Sequence, residues 1–239
     1  MRHGKYYQLG NFTSFARQLE RLSILSLKHF GANCRLRIDA PNLAYFKYLN
    51  LVDLVPRYSL ANLQSLVESD IRFLSLDNGD IRANTIGLFI GISRVHSLIL
   101  SSSSLKLLLR CAMLPIFPTM VKLRVYYDLE DSRFRNQYLE KGLETLLPSL
   151  PALEKLALDQ GVLVSVPKKV PSCLLVKLKL VEISEFENDR DCIEKASYIL
   201  KNGGALQKLM IQMPTESYSL YEEKKMKISR TLQHLDCLI

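Results

Sequence analysis

The stretch Leu153-Glu154-Lys155-Leu156-Ala157-Leu158 decides the fold, because its spacing recurs along almost the whole chain. Apolar residues occupy positions 1, 4 and 6 of this six-residue window. Positions 4 and 6 are separated by one outward-facing residue, which is the spacing of a β-strand with one buried face. Steps of 20 to 33 residues separate eight copies, which begin at residues 22, 43, 63, 95, 120, 153, 175 and 206. Steps of this length predict a strand and a return connection in each unit, stacked side by side as a solenoid.

The copies differ in how well they keep the pattern. Five carry an aliphatic residue at all three positions: Leu22/Leu25/Leu27, Val95/Leu98/Leu100, Leu153/Leu156/Leu158, Leu175/Leu178/Leu180 and Leu206/Leu209/Ile211. Three are looser: Leu43/Phe46/Tyr48, Met120/Leu123/Val125, and Leu63/Leu66 with Glu68 in sixth place. The pattern resembles an irregular leucine-rich repeat. It predicts an α/β fold, namely a leucine-rich-repeat solenoid with a curved parallel sheet and helices on the convex side.

The composition restricts the class and location of the protein. Of 239 residues, 48% are apolar, which is enough to bury a large core. The five cysteines are widely spaced with no CxxC pair, which argues against a disulfide framework and a cysteine-based zinc site. The first ten residues contain no apolar run typical of a secretory signal, and the apolar run at 85–92 is too short to cross a bilayer. These features predict a cytoplasmic or nuclear protein.

Several return connections are predicted to be helical. Residues 105–113 are apolar enough for a buried helix, and residues 131–147 carry a leucine stripe typical of a long one. Asn84 is expected to cap a further helix. The predicted buried positions of that helix are Ile86, Phe89 and Ile90.

Two other segments are predicted to lack repeat structure. Residues 1–18 contain no copy of the pattern, and Phe12 and Phe15 are spaced like a short helix face. Because a terminal repeat has only one neighbour, this end is expected to be the least ordered. The four serines at 101–104 are predicted to form a solvated loop.

Residues 175–211 predict a β-α-β unit with parallel strands. The strands are expected at 175–183 and 206–211, with a helix that starts at Asp189 or Asp191 and is ended by Gly203-Gly204. The predicted inward positions of the helix are Cys192, Ile193, Ala196, Ile199 and Leu200.

No arrangement of residues indicates catalysis. The chain lacks the GxGxxG, GxxxxGK[ST], HExxH and GxSxG motifs. Asp189 and Asp191 are better explained as helix N-terminal charge than as metal ligands. Cys111 and Cys192 lie in apolar stripes, which favours buried inert thiols over nucleophiles. The sequence therefore predicts a binding protein with no catalytic residues, no cofactor and no metal.

A family resemblance lies near the C-terminus. The segments 170–175 (VPSCLL) and 181–186 (VEISEF), the helix at 193–200, Asn202 and residues 206–209 (LQKL) resemble the FBD domain of plant F-box proteins. Upstream, residues 39–43 (DAPNL), 62–67 (NLQSLV) and 91–98 (GISRVHSL) resemble the leucine-rich segment of the same proteins. The resemblance covers most of residues 34–213.

The resemblance implies a division and a function. Residues 1–164 would be irregular leucine-rich repeats, and residues 165–239 an FBD-like region continuing the solenoid. In that family, an F-box docks on the adaptor of a cullin-RING ubiquitin ligase and the repeats hold the protein substrate. No F-box pattern is recognised here, and the chain contains no Trp. The expectation is therefore a substrate-recognition module whose own sequence lacks the F-box.

Two alternatives remain open. One is a stand-alone leucine-rich-repeat binding or decoy protein with no role in ubiquitination. The other is a nucleic-acid-binding protein, suggested by the net charge of +8. The second is less favoured, because no aromatic residues alternate with the basic ones in a stacking pattern.

The repeat register also predicts a binding face. If positions 4 and 6 point into the core, positions 3, 5 and 7 point away from it. Lys155, Lys177 and Lys208 would then lie side by side, and the second half of this face would suit an acidic or phosphorylated partner segment. The predicted protein-binding residues are Tyr45, Lys47, Leu49, Val67, Ile99, Lys122, Arg124, Tyr126, Lys155, Lys177, Lys179 and Lys208.

Overall fold

The computed structural model describes residues 3–6, 12–15, 17–26, 35–50, 57–73, 81–109, 113–126, 145–159, 169–186 and 190–213. Within these ranges, nine strands form one sheet in which every neighbouring pair is parallel. In spatial order they are β1 (His3–Tyr6), β3 (Arg21–Ser26), β5 (Tyr45–Asn50), β7 (Glu68–Phe73), β8 (Ser97–Ser101), β9 (Lys122–Tyr126), β10 (Lys155–Asp159), β11 (Leu180–Ser184) and β12 (Lys208–Ile211).

A second layer is formed by the return connections. The connections between the first four strands of the large sheet contain the strands β2 (Phe12–Phe15), β4 (Arg35–Asp39) and β6 (Arg57–Ala61). These three strands form a separate parallel sheet. Later connections contain α1 (Ile81–Gly91), α2 (Ser102–Leu109), a 3-10 turn (Leu147–Ser149), α3 (Ser172–Val176) and α4 (Arg190–Asn202). The predicted α/β solenoid with one parallel sheet is confirmed, and its helical side begins at α1, which packs on β6.

One repeated backbone contact fixes the register of the repeats. In each repeat from β5 onward, the N–H groups of positions 2 and 3 both donate to the carbonyl of position 2 in the preceding repeat, at 2.8–3.1 Å. Position 2 is occupied in turn by Glu20, Ala44, Val67, His96, Val121, Glu154, Lys179 and Gln207. The strand pairings agree with this alignment, so position 1 immediately precedes each of these residues.

This register confirms five of the eight predicted copies and shifts three. The copies at 43, 95, 120, 153 and 206 are aligned as predicted, whereas the others begin at Leu19, Leu66 and Leu178. The shift is three residues in each case, and it narrows the repeat steps to 23 to 33 residues. For these three copies the sequence allowed two alignments of the repeat, because apolar residues occur three positions apart both in the strand and in the turn before it.

The core lies between the large sheet and the return layer. Its most buried positions are 4 and 6 of the corrected repeats, as at Phe46 and Tyr48 or Leu156 and Leu158. Ser69 fills position 4 in β7, which explains why that repeat was hard to align. Burial of these apolar side chains supplies the main stabilisation, about 1.5–3 kcal/mol for each fully buried one.

The N-terminal segment departs from its prediction. Residues 3–6 form β1, which pairs with β3, and Phe12–Phe15 is the strand β2, not a helix face. The expectation that residues 1–18 carry no repeat is therefore wrong. The leucine spacing did not reveal this repeat, because Gly4 stands at the position that Leu22 occupies in β3.

The serine segment also departs from its prediction. Ser101 ends β8 and Ser102 begins α2, and all four serines at 101–104 are buried. They do not form a solvated loop, and the hydroxyl groups of Ser101 and Ser104 form hydrogen bonds at the strand-to-helix junction. Ser101 Oγ accepts a hydrogen bond from the Ser104 N–H at 3.2 Å, which is the contact of a helix N-cap.

The remaining predicted elements are partly confirmed. The helix near Asn84 exists, but it starts at Ile81 and leaves Ile90 exposed while Leu88 and Phe89 are buried. The parallel β-α-β unit is present, with β11 starting at Leu180 because residues before it form α3. Most of the helix predicted at 131–147, and Cys111, lie outside the described residues.

Candidate functional site

The candidate site is the face of the nine-stranded sheet opposite the return layer, called here the open face. It presents positions 3, 5 and 7 of the repeats. Position 3 is Arg21, Tyr45, Glu68, Ser97, Lys122, Lys155, Leu180 and Lys208. Position 5 is Ser23, Lys47, Asp70, Ile99, Arg124, Ala157, Glu182 and Met210. Position 7 includes Leu25, Leu49, Arg72, Tyr126, Asp159 and Ser184.

Nine of the twelve predicted binding residues lie on the open face. They are Tyr45, Lys47, Leu49, Ile99, Lys122, Arg124, Tyr126, Lys155 and Lys208. Their placement follows from the repeats whose alignment the sequence predicted correctly.

The other three do not lie on the open face. Val67 and Lys179 occupy position 2, ahead of their strands, and Lys177 ends the short helix α3. Leu180, not Lys177, lies between Lys155 and Lys208, so the predicted stack of these three lysines is wrong. Lys179 instead pairs with Glu154, with Nζ and Oε2 3.1 Å apart. The three-residue shift in alignment causes all three errors.

Charged residues of β7 were missed by the sequence prediction. Glu68, Asp70 and Arg72 lie in the middle of the open face, beside Tyr45, Lys47 and Leu49. The sequence did contain a signal, since Leu66 and Ile71 fit positions 1 and 6 with Ser69 at position 4. A polar residue at a core position hid the correct alignment.

Asp70 organises this central cluster. Arg72 donates from Nε to Asp70 Oδ1 at 2.7 Å and from Nη2 to Oδ2 at 3.1 Å. Lys47 Nζ lies 3.4 Å from Asp70 Oδ2. The Asp70 side chain is only 4% exposed, whereas the side chains of Arg72 and Lys47 are about one-third exposed. The carboxylate is therefore neutralised from two sides, which compensates for its burial.

Aromatic rings lie against the arginines on both sides of this cluster. The Arg21 guanidinium is 4.0 Å from the centroid of the Tyr45 ring. Tyr126 has two guanidinium groups nearby, those of Arg72 at 5.2 Å and Arg124 at 5.0 Å. Such contacts restrict long side chains before any partner arrives.

The pKa values of Tyr45 and Arg72 are both raised in this cluster. Burial raises the pKa of the Tyr45 phenol, and the nearby Asp70 and Glu68 carboxylates raise it further. Hydrogen bonding to Asp70 raises the pKa of Arg72. Tyr45 is therefore a neutral hydroxyl and Arg72 a cation at physiological pH. No proton-transfer group results from these shifts.

The described residues hold neither a metal site nor an activated thiol. Within them, no group of three His, Cys, Asp or Glu side chains is arranged to hold a metal ion. Cys173 and Cys192 are buried cysteines outside any disulfide, and burial raises the pKa of Cys173, which disfavours the thiolate. The placement of Cys192 agrees with its predicted inward position. Among the described helices, none has the length and apolar character needed to span a membrane.

The C-terminal repeats are joined by close backbone contacts. A Cβ on Gly203 would lie 2.8 Å from the Ile199 carbonyl oxygen, and one on Gly204 would overlap the Leu175 carbonyl. Neither glycine has a positive φ, so the pair ends α4 by permitting close approach and not by a left-handed cap. Phe186 is buried beyond β11, and its N–H donates to the Gln212 carbonyl at 3.0 Å.

Comparison with known proteins agrees with this architecture. The FBD family matches residues 166–211, which include α3, β11, α4 and β12. A putative F-box/FBD/LRR-repeat protein of Arabidopsis thaliana is 27% identical over 234 residues, covering 86% of this chain and 45% of that protein. A second F-box/FBD/LRR-repeat protein of the same plant is 30% identical over 224 residues, covering 84% and 49%. An FBD-associated F-box protein is 29% identical over 195 residues, covering 74% and 39%.

The chain spans about half the length of the first two of these relatives. No solved structure matches it. The fold is a leucine-rich-repeat-like solenoid whose parallel sheet presents one open face. This chain matches the FBD family over residues 166–211 and is similar over most of its length to F-box/FBD/LRR-repeat proteins of a plant.

Proposed function

We propose that the chain is the substrate-recognition part of an F-box-type subunit of a cullin-RING ubiquitin ligase. The observation that carries this proposal is the continuity of the FBD-matched strands with the leucine-rich repeats in one sheet. Both parts contribute to a single open face. The relatives that share both parts are named for an F-box. In this proposal an F-box binds the ligase adaptor, and the open face binds the protein to be modified.

The composition of the open face supports binding of a protein. Tyrosine and arginine are enriched where protein interfaces gain most of their energy, and both lie at its centre. Asp70 and the aromatic rings hold Arg72 and Arg124 in place, so less side-chain entropy is lost on binding. The proposed contact residues are Tyr45, Lys47, Leu49, Ile99, Lys122, Arg124, Tyr126, Lys155 and Lys208.

Further parts of the proposal concern division and location. The leucine-rich repeats would comprise residues 1–164, and the FBD-like region residues 165–239. The protein would act by binding and not by catalysis, in the cytoplasm or the nucleus.

The proposal is tested by partner capture with matched variants. Immobilised full chain is incubated with plant extract, and retained proteins are identified by mass spectrometry. The double variant Tyr45→Ala with Tyr126→Ala removes the two tyrosine rings named above from the open face. The control, Ile90→Ala with Ile116→Ala, removes exposed apolar side chains elsewhere. We expect a protein that is retained by the parent and the control but lost by the open-face variant.

The ligase role is tested on that retained protein. The chain fused behind an F-box is expected to direct its ubiquitination in a reconstituted ligase reaction, and the same fusion with both tyrosines replaced is not. A retained protein that the fusion leaves unmodified would contradict the ligase role and support a stand-alone binding protein. Equal retention by all three immobilised forms would contradict binding on the open face.

A further inference from the structure

Charge is distributed unevenly over the open face. On β5 and β7, Lys47 and Arg72 both contact Asp70, and Glu68 lies nearby. The two cations and two acids of these strands balance. On β9 to β12 the open face carries four cations and two acids, namely Lys122, Arg124, Lys155, Lys208, Asp159 and Glu182.

Three of these cations form a row across the strands. Lys122 and Lys155 are direct cross-strand neighbours, and Leu180 separates Lys155 from Lys208. All three are exposed, and no described acidic side chain forms an ion pair with any of them. Like charges directly opposite each other on a sheet are destabilising. An anionic ligand across this row would relieve that repulsion.

The dimensions of the row fit a short extended segment. Three strand spacings separate Lys122 from Lys208, about 14 Å, which about four residues of extended chain would cover. Beside the row, position 5 is occupied by Arg124, Ala157, Glu182 and Met210, of which Met210 is 42% exposed. Because the Ala157 side chain is small, a backbone can approach the sheet next to Lys155 while its side chains reach the lysines.

Resting on the proposed partner-binding function, we infer that this part of the open face binds an extended acidic segment of the protein partner. Aspartate and glutamate carboxylates pair with Lys122, Lys155 and Lys208. Arg124 supplies a fourth positive group beside Tyr126. On the open face of β9 to β12, Tyr126 is the one aromatic side chain among the described residues, so no row of rings is present for stacking nucleic-acid bases.

The probe for this site is a fluorescein-labelled peptide with five consecutive glutamates between glycine-serine flanks. Binding to the full chain is measured by fluorescence anisotropy. A peptide with five glutamines serves as the uncharged control. We expect the glutamate peptide alone to bind, with affinity that falls steeply from about 50 to 300 mM salt, because exposed charges are screened over about 8–10 Å near physiological ionic strength.

Matched variants locate the binding. Lys122→Glu with Lys155→Glu reverses two charges in the row, and Lys169→Glu with Lys177→Glu makes the same change on exposed lysines away from it. The first pair is expected to weaken binding about tenfold or more, and the second less than about threefold, as for loss of several exposed charge contacts. Glu182→Gln removes an acid beside the row and is expected to strengthen binding.

Several outcomes would overturn the inference. Equal weakening by both lysine pairs would indicate attraction to net charge alone. Tighter binding of a phosphoserine peptide or a single-stranded DNA of equal charge would assign the row to another ligand class. If the peptide does not bind while partner capture still depends on Tyr45 and Tyr126, the inference fails and the proposed function stands.

Discussion

At the residue scale, two serines complete the hydrogen bonding at the end of β7. Ser104 Oγ accepts from the Phe73 N–H at 2.9 Å, and Ser101 Oγ donates to the Phe73 carbonyl at 3.0 Å. The two hydroxyl groups are 2.8 Å apart. The end of one strand is thus tied to the helix that follows its neighbour.

Ser104→Ala is expected to lower the free energy of unfolding by about 1–3 kcal/mol, because the buried Phe73 N–H loses its acceptor. Ser93→Ala is the control, since Ser93 Oγ donates to the Ile90 carbonyl at an exposed helix end. That change is expected to cost less than about 0.5 kcal/mol. Urea unfolding of both variants checks the difference, and equal effects would contradict the role assigned to Ser104.

Two buried phenols predict sensitivity to alkali. Tyr48 is fully buried and its ring meets Tyr58 edge to face at 5.7 Å. Burial raises the pKa of both phenols above the usual 10.0, because a phenolate would lose its hydration. A raised pKa in the folded state leaves stability intact below the unfolded pKa and lowers it as pH rises toward the folded value.

The free energy of unfolding is therefore expected to fall above about pH 10, by up to about 1.4 kcal/mol per pH unit for each phenol. Tyr48→Phe removes one of the two groups and should flatten the decline. Urea unfolding at about pH 8, 10 and 11 measures it. Identical pH profiles for parent and variant would show that Tyr48 is not responsible.

At the scale of elements, α1 packs on β6 through two glycines one helical turn apart. A Cβ on Gly91 would lie 2.6 Å from Leu60 Cβ, which is too close for any relaxed contact. A Cβ on Gly87 would lie 3.3 Å from the Tyr58 carbonyl oxygen. The absence of a side chain at these two positions permits the close approach of α1 to β6.

Gly91→Ala is expected to destabilise the fold by about 1–3 kcal/mol, since the helix must move away from Leu60. Gly87→Ala should be nearly neutral, because a helix-propensity gain of about 0.5–1 kcal/mol offsets a mild contact. Thermal or urea unfolding compares the two. A stabilised Gly91→Ala variant would mean that α1 does not pack this closely.

The register of β11 gives a second prediction at this scale. Val181 is fully buried, whereas Leu180 is half-buried on the open face between Lys155 and Lys208. Val181→Asp is expected to cost several kcal/mol, because its charge would be buried without a partner. Leu180→Asp should cost less than about 1 kcal/mol, since it would face two lysines. If Leu180→Asp were the more destabilising of the two variants, the alignment that the leucine spacing predicted for β11 would be the correct one.

At the scale of the whole molecule, each repeat is stabilised only by its neighbours. Leu156 is buried at position 4 of β10 and is flanked by Leu123 and Val181. Leu156→Asp places an unpaired charge in this core, at a cost of several kcal/mol.

Hydrogen exchange of that variant is expected to show the largest loss of protection in β9, β10 and β11. Amides of β5 and β7 should be affected much less, because β8 and β9 lie between them and β10 in the sheet. Lys155→Asp on the open face serves as the control and should leave protection unchanged. Uniform loss along the sheet would show that the solenoid unfolds as one unit.

The sequence by itself determined the parallel repeat architecture, because strands at steps of a few tens of residues need crossover connections. It also determined most of the core, since Phe46, Leu98, Leu123 and Leu156 alternate with outward residues in copies that fit only one way. The positions of the nine predicted residues that lie on the open face followed directly from the alignment of those copies. The strands of the second layer were less predictable. The sequences of β4 and β6 contain no pattern that distinguishes them from the neighbouring strands of the large sheet.

Only the tertiary structure decided the alignment of the repeats at Leu19, Leu66 and Leu178. Leucines three residues apart satisfy two alignments equally well, and the choice is made by the backbone bonds that each strand forms with its neighbour. That choice brings Glu68, Asp70 and Arg72 onto the open face and removes Lys177 and Lys179 from it. The reason is physical: side chains set which residues prefer burial, but hydrogen bonds between strands set which of them share a row.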